Sequence, residues 1–421
     1  MRRHRGRQRM VEPELLARFE PMARLRADER IVLASQARII RLPAGRYLFR
    51  PGQEDRRTYF LLAGRLRLTS HTGEGLLVES GGANSRQALS LGTYEQYKAV
   101  TLTATEVVGM DSGLVAGISS LSGMVAPSRF DVACDAGLQD WMRGLFEDVR
   151  DAIEDDQLVL PVPPAFGEQI ANLMANERIE VARLIEAVCA DPAICAKLLR
   201  VANGALFHDQ PPVLGCKEAI DRIGVRAARN LVMNYAIRDR LRNPEEHISR
   251  RLDEYWLTAT SVAAVSAVLA SRLPGHTASR CRLAGLLHDI GTLVLLAFVH
   301  QFPSALLDPS ALDEAIDGLS LPLGDLLVQS WGLGDDLLPA LLGGGDWYRE
   351  HHGETDIADL ILVARAHSRI DSARGAGHLP DPKAMPAYER LGLGTTGQDE
   401  GLSILVQAQE SIEAAQGFLS D

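Results

Sequence analysis

Hydrophobic and polar positions change rhythm along this chain. From about Glu14 to Met110 apolar residues come in short runs between glycine turns. Arg65-Leu66-Arg67-Leu68 alternate with the period of a half-buried strand, directly after an Ala63-Gly64 turn. Pro43-Ala44-Gly45 and Pro51-Gly52 predict two further turns, at a spacing that suits a small β-sandwich or barrel. Ahead of them, Pro13 to Gln36 predicts helix. Asp131 to Gln157 predicts an acidic helical connector, and Leu160-Pro161-Val162-Pro163-Pro164 then forces extended chain and marks a boundary. From Phe166 onward the pattern is helical. Asp191-Pro192 opens a helix by pairing an N-cap with a first-turn proline, and Ile194, Leu198, Val201 and Leu206 keep one apolar face. Tyr255 to Leu273 and Cys281 to Val299 are apolar nearly all round, as central helices of a bundle are. No repeat of roughly 20–50 residues is apparent, which excludes a solenoid.

Composition refines this picture without changing it. With 46% apolar and 24% charged residues among 421, the chain is of ordinary globular type and long enough for two to three domains. Apolar runs such as Leu293 to Val299 fall short of the roughly 20 residues of a membrane span, and the first residues lack a secretory pattern, so a soluble cytoplasmic protein is expected. Cys134, Cys189, Cys195, Cys216 and Cys281 form no C-x-x-C pair, which predicts reduced, packed thiols. A net charge of −11 disfavours a nucleic-acid surface. Arg2, Arg3, Arg5, Arg7 and Arg9 run against that balance. They suit a disordered leader, an over-extended start with Met10 as the true first residue, or a basic arm on phosphates.

Leu42-Pro43-Ala44-Gly45-Arg46-Tyr47-Leu48-Phe49, the Pro51-Gly52 turn and Tyr59-Phe60-Leu61-Leu62-Ala63-Gly64-Arg65-Leu66 together resemble a cyclic-nucleotide-binding domain over about Phe19 to Val115. The resemblance implies a β jelly-roll. It also implies a phosphate cassette with a Gly-Glu pair and an Arg about nine residues later. At those places stand Ala88, Leu89 and Lys98. Leucine cannot accept a ribose hydroxyl and lysine lacks the planar guanidinium fork, so a degenerate site is expected, with Lys98 as the remaining candidate for a small anion.

Further along, Ala190-Asp191-Pro192, Lys197 to Gly204, Ala219 to Gly224 and Ala284-Gly285-Leu286-Leu287-His288-Asp289-Ile290-Gly291 look like an HDOD domain, the non-catalytic relative of the HD phosphohydrolases of bacterial signalling. The resemblance covers about 190 residues from Leu160. HD phosphohydrolases hold divalent metal on a His, a His-Asp pair, further histidines and a distal Asp. Here His288 and Asp289 supply the pair, while Thr258, Ser320, the Leu342-Gly343-Gly344-Gly345 stretch and Ala366-His367 occupy the other places, and Thr292 stands where a lysine is common. Two neighbouring residues on one helix point about 100° apart and do not make a divalent site. No metal and no cofactor are therefore expected, with His288 and Asp289 as vestigial ligands and His288 hydrogen-bonded to a backbone carbonyl or a neighbouring helix inside the bundle. His351 and His352 lie several residues late, and with Asp356, Asp359 and His367 they form the displaced set from which a rearranged centre could be drawn. Gly343-Gly344-Gly345 lacks the lysine and hydroxyl of a phosphate loop and reads as a flexible break.

The expected organisation is a basic leader at 1–12, a degenerate cyclic-nucleotide-binding-like jelly-roll at 13–130, a helical linker at 131–157, an all-α HDOD bundle at 158–375 and a C-terminal extension at 376–421. The expected function is a non-catalytic signal-transduction adaptor that binds other signalling proteins, with Trp256, Trp331, Trp347 and Tyr348 as candidate anchors. No membrane partner is expected, and nucleic acid only through the arginine leader. The alternatives are a divergent metal-dependent phosphohydrolase and a small-molecule sensor acting through Lys98.

Overall fold

The computed structural model describes residues 11–50, 56–69, 75–90, 97–120, 139–163, 181–188, 190–238, 245–271, 273–302, 308–334, 337–343, 346–371, 384–393, 409 and 412–413. The arginine leader, the Pro51-Gly52 turn, residues 131–138 of the connector, Cys134, Cys189 and Gly344-Gly345 lie outside that set. The chain forms two compact units. The first gathers Met1–Ala126 with Val201–Pro211 and Ile223–Leu231, and the second holds the remainder. The division is therefore not one cut through the sequence, because two short segments of the helical half belong to the first unit.

In the first unit, strands β1 (Arg38–Leu42), β2 (Tyr47–Phe49), β3 (Arg57–Ala63), β4 (Arg65–Thr69), β5 (Gly75–Glu79), β6 (Lys98–Thr101) and β7 (Thr105–Asp111) make two antiparallel sheets, ordered β1-β7-β3 and β2-β6-β4-β5. The alternation at Arg65 to Leu68 is realised in β4, where Leu66 and Leu68 are buried while Arg65 and Arg67 face outward. Leu66 lies opposite Val78 and Thr101, so the register puts apolar side chains on one face. With Phe49, Tyr59, Leu61, Leu89, Ala99 and Val107 they form one core, each large side chain contributing about 2 kcal/mol of burial. Gly64, with φ +95, makes the β3–β4 turn, and a Cβ there would stand 2.5 Å from the Ala104 carbonyl oxygen.

The helical lead-in comes in pieces rather than as one helix: α1 (Pro13–Leu16), a 3-10 turn at Met22–Arg24, and α2 (Ala27–Gln36). Pro21 lacks the N–H that a continuous helix would need there. In α2 the buried Glu29 carboxylate accepts the Arg26 N–H at 3.0 Å and the Ala205 N–H at 2.9 Å. Asn230 donates to Ser35 Oγ at 3.1 Å. Helix α3 (Ser112–Ser120) packs on the 3-10 turn Ala205–Phe207, which makes the segment 201–211 part of this unit.

The second unit is helical: α4 (Asp140–Glu154), α5 (Val181–Val188), α6 (Pro192–Ala202), α7 (Cys216–Ile223), α8 (Val225–Arg238, from Val232 onward), α9 (Glu246–Ala270), α10 (Ala278–Leu287), α11 (Ile290–Phe298), α12 (Pro309–Trp331), α13 (Leu338–Gly343), α14 (Ile357–Asp371) and α15 (Pro386–Arg390). Met142, Leu145, Phe146, Val149 and Ile153 form the buried stripe of α4. Asp191 Oδ1 accepts the Ile194 N–H at 2.8 Å and starts α6 as the Asp-Pro pattern requires. Two expectations are corrected. The apolar stretch from Cys281 to Val299 is broken at His288-Asp289 into α10 and α11. Cys195 and Cys216 are joined by a disulfide, with Cα atoms 5.9 Å apart, while Cys281 is a buried thiol. The stretch Ala278–Gln301 is long and apolar enough to cross a membrane by length and composition, and 78% of its most apolar window is buried inside the structure.

Candidate functional site

The break between α10 and α11 holds the His-Asp pair, and close packing of backbones shapes it. Gly285 of α10 lies against α9, where an added Cβ would stand 2.7 Å from Ala263 Cα. Gly291 of α11 lies against α12, where an added Cβ would stand 1.7 Å from the Ser320 carbonyl oxygen. The two glycines of the Gly-Leu-Leu-His-Asp-Ile-Gly run thus let α10 and α11 each press onto a neighbouring helix. Between them the chain must turn, and the two polar side chains complete that turn. His288 Nδ1 donates to the Gly285 carbonyl at 2.7 Å; since a carbonyl only accepts, Nδ1 carries the hydrogen. Asp289 Oδ1 accepts the Thr292 hydroxyl at 2.8 Å, and its backbone carbonyl accepts the Thr292 N–H at 3.1 Å. Thr292, where the sequence resemblance implies a lysine, is therefore part of the same joint.

Several polar side chains of this unit are buried: Asp191, Lys197, Tyr255 and His288 are each 7% exposed or less, and Tyr255 feels the charges of both Asp289 and Asp191. Burial pushes the Tyr255 hydroxyl well above its ordinary range, and the Asp289 and Asp191 charges add to the effect. That hydroxyl has no hydrogen-bond partner among the described residues. Lys197 Nζ donates to the Leu160 carbonyl at 3.2 Å and lies 4.9 Å from the centre of the Tyr235 ring. Thr258 is exposed and its hydroxyl donates to the Glu254 carbonyl. Among the described residues, His288 and Asp289 gather no third His, Cys, Asp or Glu close enough to share a metal ion.

The displaced set behaves differently from its sequence pattern. His351, Asp356 and Asp359 do converge, with ligand atoms within 4.8 Å of one another. His351 Nε2 donates to Asp359 Oδ2 at 2.9 Å. Two arginines already occupy the carboxylates. Arg390 donates to both Asp359 oxygens, at 2.6 and 3.0 Å, and Arg349 holds Asp356 at 2.5 and 2.9 Å. Asp356 and Asp359 also accept each other's backbone N–H at the start of α14, as in a capping box. Burial pushes the Asp359 carboxyl up, but hydrogen bonds from Arg390, His351 and the Asp356 backbone, with the Arg390 charge, outweigh it and hold the group below the usual carboxylate range. The cluster is an ion-pair network that docks α15 on α14. His352 is exposed. His367 lies two turns further along α14, buried, its ring 5.7 Å from that of Tyr388 on α15. The displaced histidines therefore do not assemble into one centre. Arg349 and Arg390 were not singled out by the sequence reading, although the Arg349-x-His351 and Asp356-x-x-Asp359 spacings carry the signal.

In the first unit, the cassette residues Leu91 to Gln96 lie outside the described set. Leu89 is a core residue, and its N–H donates to the Tyr59 carbonyl at 2.8 Å. Lys98 opens β6 opposite Thr69, half-buried. A cavity of about 380 Å³ in this unit is lined by Arg18, Phe19, Leu61, Leu62, Gly81, Ser85 and Arg86, and Lys98 is not among its walls. Of the candidate anchors, Trp256 and Trp331 are buried, Trp347 packs under Arg365, and Tyr348 is 57% exposed.

Residues 160–342 match the family model described as the HDOD domain. A curated protein from Treponema pallidum is 21% identical over 231 residues, covering 52% of this chain and 42% of its own length, so the chain spans less than half of that relative. The MmoQ response regulator from Methylococcus capsulatus is 22% identical over 59% of this chain and 98% of its own, with a TM-score of 0.49. A cyclic nucleotide-binding-like protein from Brucella abortus is 24% identical over 26% of this chain and 97% of its own, with a TM-score of 0.21.

Proposed function

Starting from an HDOD domain over residues 160–342, we propose that this chain is a cytoplasmic signal-transduction adaptor that works through protein–protein contacts of its helical bundle rather than through catalysis. The observation that carries this reading is the use made of the His-Asp pair. His288 closes on the Gly285 carbonyl and Asp289 on the Thr292 hydroxyl, so the two side chains that a hydrolase would aim at a metal are held by the α10–α11 joint. Thr258 lies on the outer surface, and Ser320 presents its backbone carbonyl to Gly291. Tyr348 is the exposed aromatic best placed to anchor a partner, since interface anchors are rich in Tyr and Trp. Affinity capture tests this side of the reading: the partners enriched by the wild type are expected to be lost with Tyr348→Ala, and equal recovery with both proteins overturns Tyr348 as an anchor.

One observation favours the runner-up, a metal-dependent phosphohydrolase. The Nδ1–H of His288 rests on a backbone carbonyl, the kind of outer contact that orients metal-bound histidines. Turnover of a p-nitrophenyl phosphodiester, assayed with magnesium or manganese, separates the two. The adaptor predicts the same background rate for wild type and Asp289→Ala, whereas a wild-type rate abolished by that substitution would establish an enzyme.

A further inference from the structure

We propose that Cys195 and Cys216 form a redox-reversible clip, a modification site that fixes both ends of the segment 196–215. The disulfide joins α6 to α7 across a sequence separation of 21. Each end is positioned by contacts independent of the sulfurs. The Cys195 N–H donates to the Asp191 carbonyl at 3.1 Å within a helix that Asp191 caps. Next to Cys216, the Leu214 carbonyl accepts from Arg280 Nη1 at 3.0 Å, and Gly215 lies where a Cβ would touch Glu218 and Ser279. The sulfurs are therefore brought together by the fold, and the bond can open without the two helix starts losing their seats. The segment between them is distinctive: Val201–Pro211 belongs to the first compact unit while both cysteines belong to the second. The clip thus closes the root of the one excursion the chain makes between α6 and α7. Among the described cysteines Cys281 remains a thiol, and in a reducing compartment a bond like Cys195–Cys216 forms in response to an oxidant rather than as a permanent staple.

A low-molecular-weight disulfide, the class of oxidised glutathione, supplies the balance. Cys216, the more exposed of the two at 6% against 1%, opens α7, where a helix N-terminus favours a thiolate. Its thiolate attacks one glutathione sulfur, releasing the first glutathione as thiolate and leaving a mixed disulfide. The Cys195 thiolate then attacks the Cys216 sulfur, forms the intramolecular bond and releases the second glutathione. Two protein thiols are oxidised, one disulfide is reduced to two thiols, and the two protons lost by the protein end on the glutathione thiolates.

The test uses the full chain, equilibrated in mixtures of reduced and oxidised glutathione, quenched in acid, denatured, alkylated and peptide-mapped. Cys195 and Cys216 are expected to escape alkylation together as the mixture becomes oxidising, to appear in one cross-linked peptide, and to be recovered by dithiothreitol, while Cys281 is alkylated throughout. In Cys195→Ser, Cys216 should stop at the mixed disulfide. Limited proteolysis within 196–215 should be roughly tenfold or more slower in the oxidised wild type. Alkylation of both cysteines at every mixture would overturn the proposal, and equal cleavage in both redox states would overturn its action on the segment. Either failure leaves the adaptor reading untouched, since that reading rests on His288 and Asp289.

Discussion

Gly291 shows at the level of one residue why the His-Asp run has the composition it has. Its missing side chain lets the α11 backbone lie on Ser320, and nothing larger fits, because the obstructing atom is a backbone carbonyl oxygen rather than a side chain that can turn away. Gly291→Ala should destabilise the bundle by about 3 kcal/mol, at the upper end of over-packing, as measured by chemical denaturation followed through helical circular dichroism. Unchanged stability would mean that α11 and α12 do not meet there. The glycine, histidine and aspartate were legible in the sequence as a motif, and so was a backbone carbonyl as a partner for His288, which closes on Gly285 three residues away. The seats of the glycines were not, because Gly285 meets α9 and Gly291 meets α12, helices remote in sequence. Leu89 was legible in a stronger sense, since a leucine cannot accept the hydroxyl that the resemblance implies at that place, and the structure puts it in the sandwich core.

Among elements, the strand rhythm around β4 and the Asp-Pro start of α6 followed directly from local pattern, as period-two alternation and N-capping are local effects. The break between α10 and α11 did not. Every residue from Leu283 to Leu296 except Asp289 is buried, so the apolar pattern runs through the joint without a visible stop, and the turn is made by His288 and Asp289 instead of by proline or by a glycine in a special conformation. The contact of α15 with α14 also lies beyond local pattern, since Arg390 and Asp359 are 31 residues apart. That contact has a consequence for pH. Burial lowers the pKa of His367 below its ordinary value, and neither ring nitrogen has a hydrogen-bond partner among the described residues. Tyr388 beside it, pushed up to about 12 by burial, does not titrate in the same range. Because the unfolded chain binds a proton on this histidine before the folded one does, stability is fully present above about pH 6.5 and declines as pH falls below it. Thermal melts at pH 7.5 and 5.5 should show this loss in the wild type and a smaller one in His367→Phe. Identical pH dependence in the two would show that His367 is not held neutral.

For the whole molecule, the two halves of the chain differ in which of the expected residues they hold. The β unit has two sheets around one core, and Ala88, Leu89 and Lys98 stand where the sequence resemblance implies a Gly, a Glu and an Arg. The helical unit keeps the His-Asp pair while the groups expected to converge on it are exposed, absent or tied into the Arg349–Asp356 and Arg390–Asp359 network. The central claim is that the pair is a helix joint and not a metal centre. Elemental mass spectrometry of the untagged, full-length protein, purified from medium replete in divalent metals, tests it most directly. Trace metal is expected, far below one ion per chain, with no change in His288→Ala. A divalent ion close to one per chain in the wild type, lost in His288→Ala, would contradict it.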